Sequence, residues 1–190
     1  MRHSAFRQAG VTLVELMIGV AVLAILLVVA APSFSEYFEK GRVKGAVDEL
    51  TNFLALARNE ATKRDRNVRI VAGGAPDAWC FGANASPEPV PTAPVGAATA
   101  CDCTVATQCT VAGTRMTFDS TRYLGVTIDA VDDDFTYDRK LGSLTTLVGT
   151  QMVFNSQTGR FGLRVNVSPM GHARACVPPG ELSMPGYAAC

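Results

Sequence analysis

From Val11 to Ala31 the chain is strongly apolar, interrupted only by Thr12, Glu15 and Gly19. As an α-helix these 21 positions would extend roughly 32 Å, which matches a bilayer hydrocarbon core of about 30 Å. The pattern then changes. Val43, Val47, Leu50, Leu54, Ala57 and Ala61 recur at intervals of three or four, the spacing of one buried face on a helix. Glu39, Lys40, Lys44, Asp48, Glu49, Asn52, Lys63 and Arg64 fill much of the wet remainder. The two halves join into one predicted helix from about Val11 to about Lys63, far longer than a globular helix normally runs.

Beyond Asn67 the periodicity shortens to that of strands, with β-rich runs at Val68–Val71, Ala78–Phe81, Arg115–Phe118 and Leu163–Val167. Asn155–Gly159 supplies a hairpin turn between Gln151–Phe154 and Arg160–Leu163. From Ser86 to Thr99, prolines at 87, 89, 91 and 94 alternate with small residues and forbid a regular ladder, so that stretch is expected to be a surface loop. The head, residues 65–190, is therefore expected to be mostly antiparallel sheet. No repeat of fixed period is present.

Composition narrows the possibilities. A length of 190 residues suits one folded body with an appendage. Charged residues make up 18% and the formal net charge is zero, so no global basic field advertises nucleic acid or acidic lipid. A secretory signal peptide is the rival reading of the front, with Arg2 and Arg7 as its basic leader and Val29-Ala30-Ala31 as its cut. Its apolar region should span only about 7 to 15 residues, and Pro32 would follow the cut directly.

Glu15 is the anomaly in this run, because an ionised carboxylate at the centre of a membrane helix costs about 2.5 to 3.5 kcal/mol on insertion scales. A chain cut after Gly10 would begin with the α-amino group of Val11, placing a positive charge near Glu15 or near the glutamate of a neighbouring chain. Alternatively Glu15 lies close enough to the interface to snorkel.

The stretch Ala9-Gly10-Val11-Thr12-Leu13-Val14-Glu15-Leu16-Met17 resembles the class III signal of type IV pilins and type II secretion pseudopilins. The resemblance implies that prepilin peptidase removes residues 1–10 by cutting after Gly10, that Val11 becomes N-methylated, and that Glu15 docks the subunit into a filament at the inner-membrane assembly platform. Val11 departs from the phenylalanine usual in the family. Pro32 matches a proline frequent in these helices, where a missing backbone donor bends or loosens the helix. The implied organisation is a transmembrane and filament-core helix at 11–31, an amphipathic continuation at 32–64, and the head at 65–190. The fold class is α+β and type IV pilin-like, with a mostly antiparallel β-sheet or β-sandwich head.

Arg2 and Arg7 keep the short side cytoplasmic by the positive-inside tendency, so the protein is expected to cross the inner membrane once, with its head in the periplasm. In that oxidising compartment Cys80, Cys101, Cys103, Cys109, Cys176 and Cys190 read as disulfide material. Six cysteines allow 15 pairings. Cys176 with Cys190 is the preferred one, because it ties down a tail rich in proline and glycine. Zinc held by Cys101, Cys103 and Cys109 is the sharper alternative, but no histidine lies nearby.

Trp79-Cys80-Phe81-Gly82, Cys101-Asp102-Cys103 and the stretch Ser168 to Cys176 resemble the GspH/FimT group of minor pilins and pseudopilins, which act in small numbers near filament tips and help to initiate or cap assembly. The expected partners are other pilins of a filament tip. Some members near FimT bind double-stranded DNA during natural transformation through a terminal Gly-Arg-x-Arg motif. Gly171 and Arg174 match its ends while His172 replaces the first arginine. Arg160, Arg164, His172 and Arg174 are thus the candidate phosphate contacts.

The remaining clusters read as structural. Lys63, Arg64, Arg66 and Arg69 complement the dipole at a helix end. Asp129 and Asp132–Asp134 lack an ordered calcium loop and form a solvated acidic turn. Without the leader, His172 is the last imidazole, far from any evident nucleophile, and no P-loop occurs. No enzyme activity, cofactor or metal is expected.

Overall fold

A computed structural model describes residues 10–87, 96–131 and 134–190; the side chains at 29–33 and 130–131 also lie outside the description. Arg2, Arg7, Pro89, Pro91, Pro94, Asp132 and Asp133 fall among the residues not described. Helix α1 (Leu13–Arg64) contributes to two compact units, Met1–Phe38 and Glu39–Cys190.

In the first unit, the apolar side chains from Leu13 to Val28 are exposed all round the helix, between 51% for Val22 and 76% for Val28. A helix apolar on every side has no wet face to offer water, and is suited to lipid or to other helices. Among the described residues no helix is long and apolar enough to cross a membrane.

In the second unit α1 becomes one-sided. Val43, Val47, Leu50, Leu54, Ala57 and Ala61 are fully buried, joined by Ala46 and Phe53. They share one core with residues of strands β1 (Val68–Ala75), β2 (Ala78–Ala85), β5 (Thr117–Asp119), β6 (Thr127–Val131), β7 (Phe135–Tyr137), β8 (Thr150–Asn155), β9 (Gly162–Val167) and β10 (Ala173–Cys176). One antiparallel sheet has the order β5-β2-β1-β7 and the other the order β10-β9-β8-β6, while β3 (Thr110–Val111) and β4 (Thr114–Arg115) form a separate small hairpin. This is the α+β architecture expected.

Strand alternation explains how both sheets reach one core. Trp79, Phe81 and Ala83 of β2 face inward with Val68 and Ile70 of β1, and Leu163, Val165 and Val167 of β9 face inward with Met152 and Phe154 of β8. Trp79 meets Phe154 edge-on at 5.4 Å between ring centroids and donates its indole N–H to the carbonyl of Val126 at 2.9 Å. Phe81 of β2 also meets Phe154, at 6.3 Å, so two aromatic side chains of the first sheet couple it to the second.

The outward residues of β2 serve a different purpose. Cys80 bonds to Cys103 and Cys101 to Cys109, stacking both disulfides on the back of the first sheet. A Cβ at Gly82 would lie 2.3 Å from Cys109 Sγ, so only glycine lets that bridge lie flat on the strand. Cys176 joins Cys190 with 5.0 Å between Cα atoms, the pairing preferred from sequence. No cysteine is left to hold zinc.

The expected hairpin turn connects β8 to β9, with Gly159 at a positive φ of 66°. Ser86, Pro87 and 96–99 carry no regular structure, and 88–95 of the expected loop lie outside the described residues.

Polar groups on the flanks of α1 fasten this unit. Tyr123 donates to Glu49, and Tyr187 donates to Asp48 at 2.6 Å. Arg58 donates to the carbonyls of Gly142 and Met170 at 2.8 and 3.3 Å. Burial first, and then the bond to Glu49, push the Tyr123 phenol up to about 12; Tyr187 is raised for the same reasons, with Asp48 as its partner.

Two outcomes follow for the fold. Leu50→Ala is expected to cost about 2 to 5 kcal/mol in urea unfolding, because it opens a cavity where helix and sheets meet. Both phenols bind their protons more tightly folded than unfolded. Their contribution is therefore complete below the ordinary tyrosine value of about 10 and is lost as pH rises through the folded values. Melting temperature should fall between about pH 10 and 12, and the combined Tyr123→Phe and Tyr187→Phe change should flatten that fall.

Candidate functional site

The start of α1 is organised around two side chains. Thr12 precedes the first helical residue, Leu13, and its backbone N–H and hydroxyl donate to Glu15 Oε2 at 2.8 and 2.7 Å. In return the Glu15 N–H donates to Thr12 Oγ1 at 3.3 Å. This is a reciprocal capping box, which satisfies donors that the first turn of a helix leaves without partners. The T-x-x-E spacing was the available sequence signal for it, and the sequence reading gave Thr12 no role.

Gly10 and Val11 are exposed immediately before this cap. A bond hydrolysed between them would leave both members of the capping box on the downstream product. Pro32 lies within α1, which continues on both sides of it. Proline there removes one backbone donor from the ladder.

The four candidate phosphate contacts do not form one cluster. Arg164 of β9 and Arg174 of β10 occupy the same outer face, since Arg174 is opposite Asn166 and Arg164 is opposite Cys176. Arg160 belongs to the turn before β9, where its guanidinium lies over Phe161. His172 lies in the turn after β9. Six residues of strand separate those two turns, about 20 Å.

Several other charged groups have local partners. Arg64 pairs with Glu60, Arg69 with Asp134 at 3.1 Å, and Arg139 with Asp65 at 2.8 Å. Asp129 accepts a bond from the Asn155 amide. Among the described residues, no group of three or more His, Cys, Asp or Glu side chains could hold a metal ion.

Comparison with known proteins decides what the chain is. The prokaryotic N-terminal methylation motif matches residues 5–31, and the family of the type II transport protein GspH matches residues 46–171. The chain belongs to the GspH family. A crystal structure of the type IV minor pilin FimU from Pseudomonas aeruginosa is similar at 16% identity over 75% of this chain and 92% of that chain, with a TM-score of 0.45. No curated protein sequence matches at a significant level.

A GspH-family chain is a minor pilin or pseudopilin, a structural subunit that associates with other pilins in a filament. With the methylation motif, it is a membrane-anchored and filament-associated protein. In this GspH-family subunit the capping box lies inside the stretch matched by the methylation motif.

Thr12→Ala in the full chain, held in detergent, should weaken the first turn by about 0.5 to 2 kcal/mol. Amide exchange at Glu15 should speed up by roughly 2- to 30-fold, and Thr12→Ser should restore most of the protection.

Proposed function

We propose that the protein is a minor pilin or pseudopilin that helps to initiate or cap assembly of a type IV pilus or a type II secretion pseudopilus. Prepilin peptidase cuts after Gly10, Val11 becomes the methylated terminus, and Glu15 docks the subunit at the inner-membrane assembly platform. The segment 11–31 crosses the inner membrane with its start in the cytoplasm, and the head at 65–190 stays in the periplasm until the subunit enters a filament tip.

The observation that carries this reading is the order of two matches on one chain, a methylation motif at 5–31 followed by a GspH match at 46–171. Physical features agree with it. The helix is apolar on every side where a filament core or bilayer must cover it, and one-sided where the head packs. A carboxylate at the start of the apolar run already has hydrogen-bond donors, which lowers the cost of placing it in a membrane.

Capture of duplex DNA during transformation is the alternative, and it has less to stand on. Only Arg164 and Arg174 of the candidate contacts share a face. Two phosphate contacts would give weak and strongly salt-dependent binding.

Deletion of the gene, followed by parallel measurement of sheared surface pili and released exoprotein, tests the assignment. Loss of either product, restored by the wild-type gene and by a form that starts at Val11 after processing, is expected. Glu15→Ala should restore neither. Normal pili and normal secretion in the deletion strain would overturn the proposal.

A further inference from the structure

The edge of the second sheet has an unused half. Among the described residues, strand β10 pairs only with β9 over Ala173–Cys176, and its other side carries no paired strand along that length. The parity of its hydrogen bonds follows from two flanking contacts. Ser168 N–H donates to the His172 carbonyl at 2.9 Å, which makes 168 and 172 a hydrogen-bonded pair. Alternation then turns the backbone groups of Arg174 and Cys176 towards β9 and those of Ala173 and Ala175 away from it.

The tail fits the same parity. Val177, next in the outward series, donates to Ala188 and accepts from Cys190, at 2.8 and 2.9 Å. Among the described residues only that one position is covered, through an isolated parallel bridge between Val177 and Ala189. The N–H and C=O groups of Ala173 and Ala175 instead face a cleft of about 1140 Å³, with Ala188 to Cys190 on another of its walls.

The cleft's chemistry selects an occupant. Its walls carry Arg174, which is exposed, and the His172 imidazole, and no aspartate or glutamate side chain. Arg174, Asn166 and Gln151 stand in one row across β10, β9 and β8. Alanines beside the open edge leave room for a second main chain to approach to strand distance. By contrast β6, at the opposite edge of the sheet, carries a bulge between Ile128 and Ala130, a common way to prevent pairing.

We propose that the open edge of β10 accepts an extended acidic peptide segment of another protein as an added strand. Hydrogen bonds to Ala173 and Ala175 supply the main-chain pairing, and a carboxylate on the segment meets Arg174. This mode of recognition draws affinity from the backbone and selectivity from alternate side chains. It makes no use of the filament assignment, and its test is separate from that of pilus or exoprotein production.

The test uses the full chain in detergent with three probes: a short capped peptide alternating glutamate and valine, the same peptide with lysine for glutamate, and duplex DNA. The acidic peptide is expected to slow amide exchange at Ala173 and Ala175 by at least about tenfold while the lysine peptide and DNA do not. Arg174→Glu should transfer the preference to the lysine peptide. Ala175→Pro removes an outward N–H without touching the β9 ladder, and should abolish the effect while leaving the circular dichroism unchanged. Absence of slowing by the acidic peptide, equal slowing by both peptides, or slowing by DNA alone would each overturn the proposal. If Ala175→Pro unfolds the chain, the charge reversal at Arg174 still decides between these outcomes.

Discussion

The head depends on one constraint, the need to cover the apolar stripe from Val43 to Ala61 on α1. Seven of its positions have no exposure. Each fully buried large side chain contributes about 1.5 to 3 kcal/mol relative to exposure, so the stripe is a source of stability that both sheets share. Its polar flanks then set the loops. Asp48, Glu49 and Arg58 lie beside the stripe and hold Tyr187, Tyr123 and the carbonyls of Gly142 and Met170. Asp48 and Glu49, which sequence patterning assigns to solvent, thus join Arg58 in fastening the head to its own stretch of helix.

Disulfides are placed where this stripe cannot reach. The cluster of Val71, Cys80, Cys103 and Cys109 is separate from the main core and small. Closing loops of sequence separation 8 and 23 restricts the unfolded chain by roughly 2.5 to 3.5 kcal/mol each on the loop-entropy account. The third bridge restrains a tail that adds Val177 and Met184 to the core but contains no strand. Hydrophobic burial organises the front of the first sheet, while covalent bonds organise its back.

Much of this was legible in the residues, for reasons of range. The stripe, the β8–β9 turn and the Cys176–Cys190 pairing involve positions close in sequence, and local periodicity or spacing reports them. The strand order was not legible, because β2 lies between β1 and β5 only through long-range pairing. Gly82 belongs to the Trp79–Gly82 stretch, yet its purpose appears only when Cys109 lies against it. The basic residues show the limit most clearly. Arg160, Arg164, His172 and Arg174 are near one another along the chain, but a six-residue strand places the two turns at its opposite ends and only two arginines on a common face. Nearness in sequence becomes nearness in space only when the register permits it.

The capping box poses a last energetic question, since a carboxylate already satisfied at its own helix start must exchange partners in order to dock elsewhere. Neutral donors hold it in the isolated chain, namely the Thr12 N–H and hydroxyl. A charged amine from a neighbouring chain would add the attraction of a full positive charge, where the Thr12 donors offer only their dipoles. Removing both partners from water weakens screening and enlarges that difference. Thr12 is therefore suited to be a resting partner: strong enough to lower the cost of carrying Glu15 into an apolar surrounding, and weak enough to yield to an ammonium group. Because Thr12 and Glu15 both lie downstream of Gly10, the proposed cut leaves this resting arrangement intact and adds, at Val11, the kind of charge that could replace it.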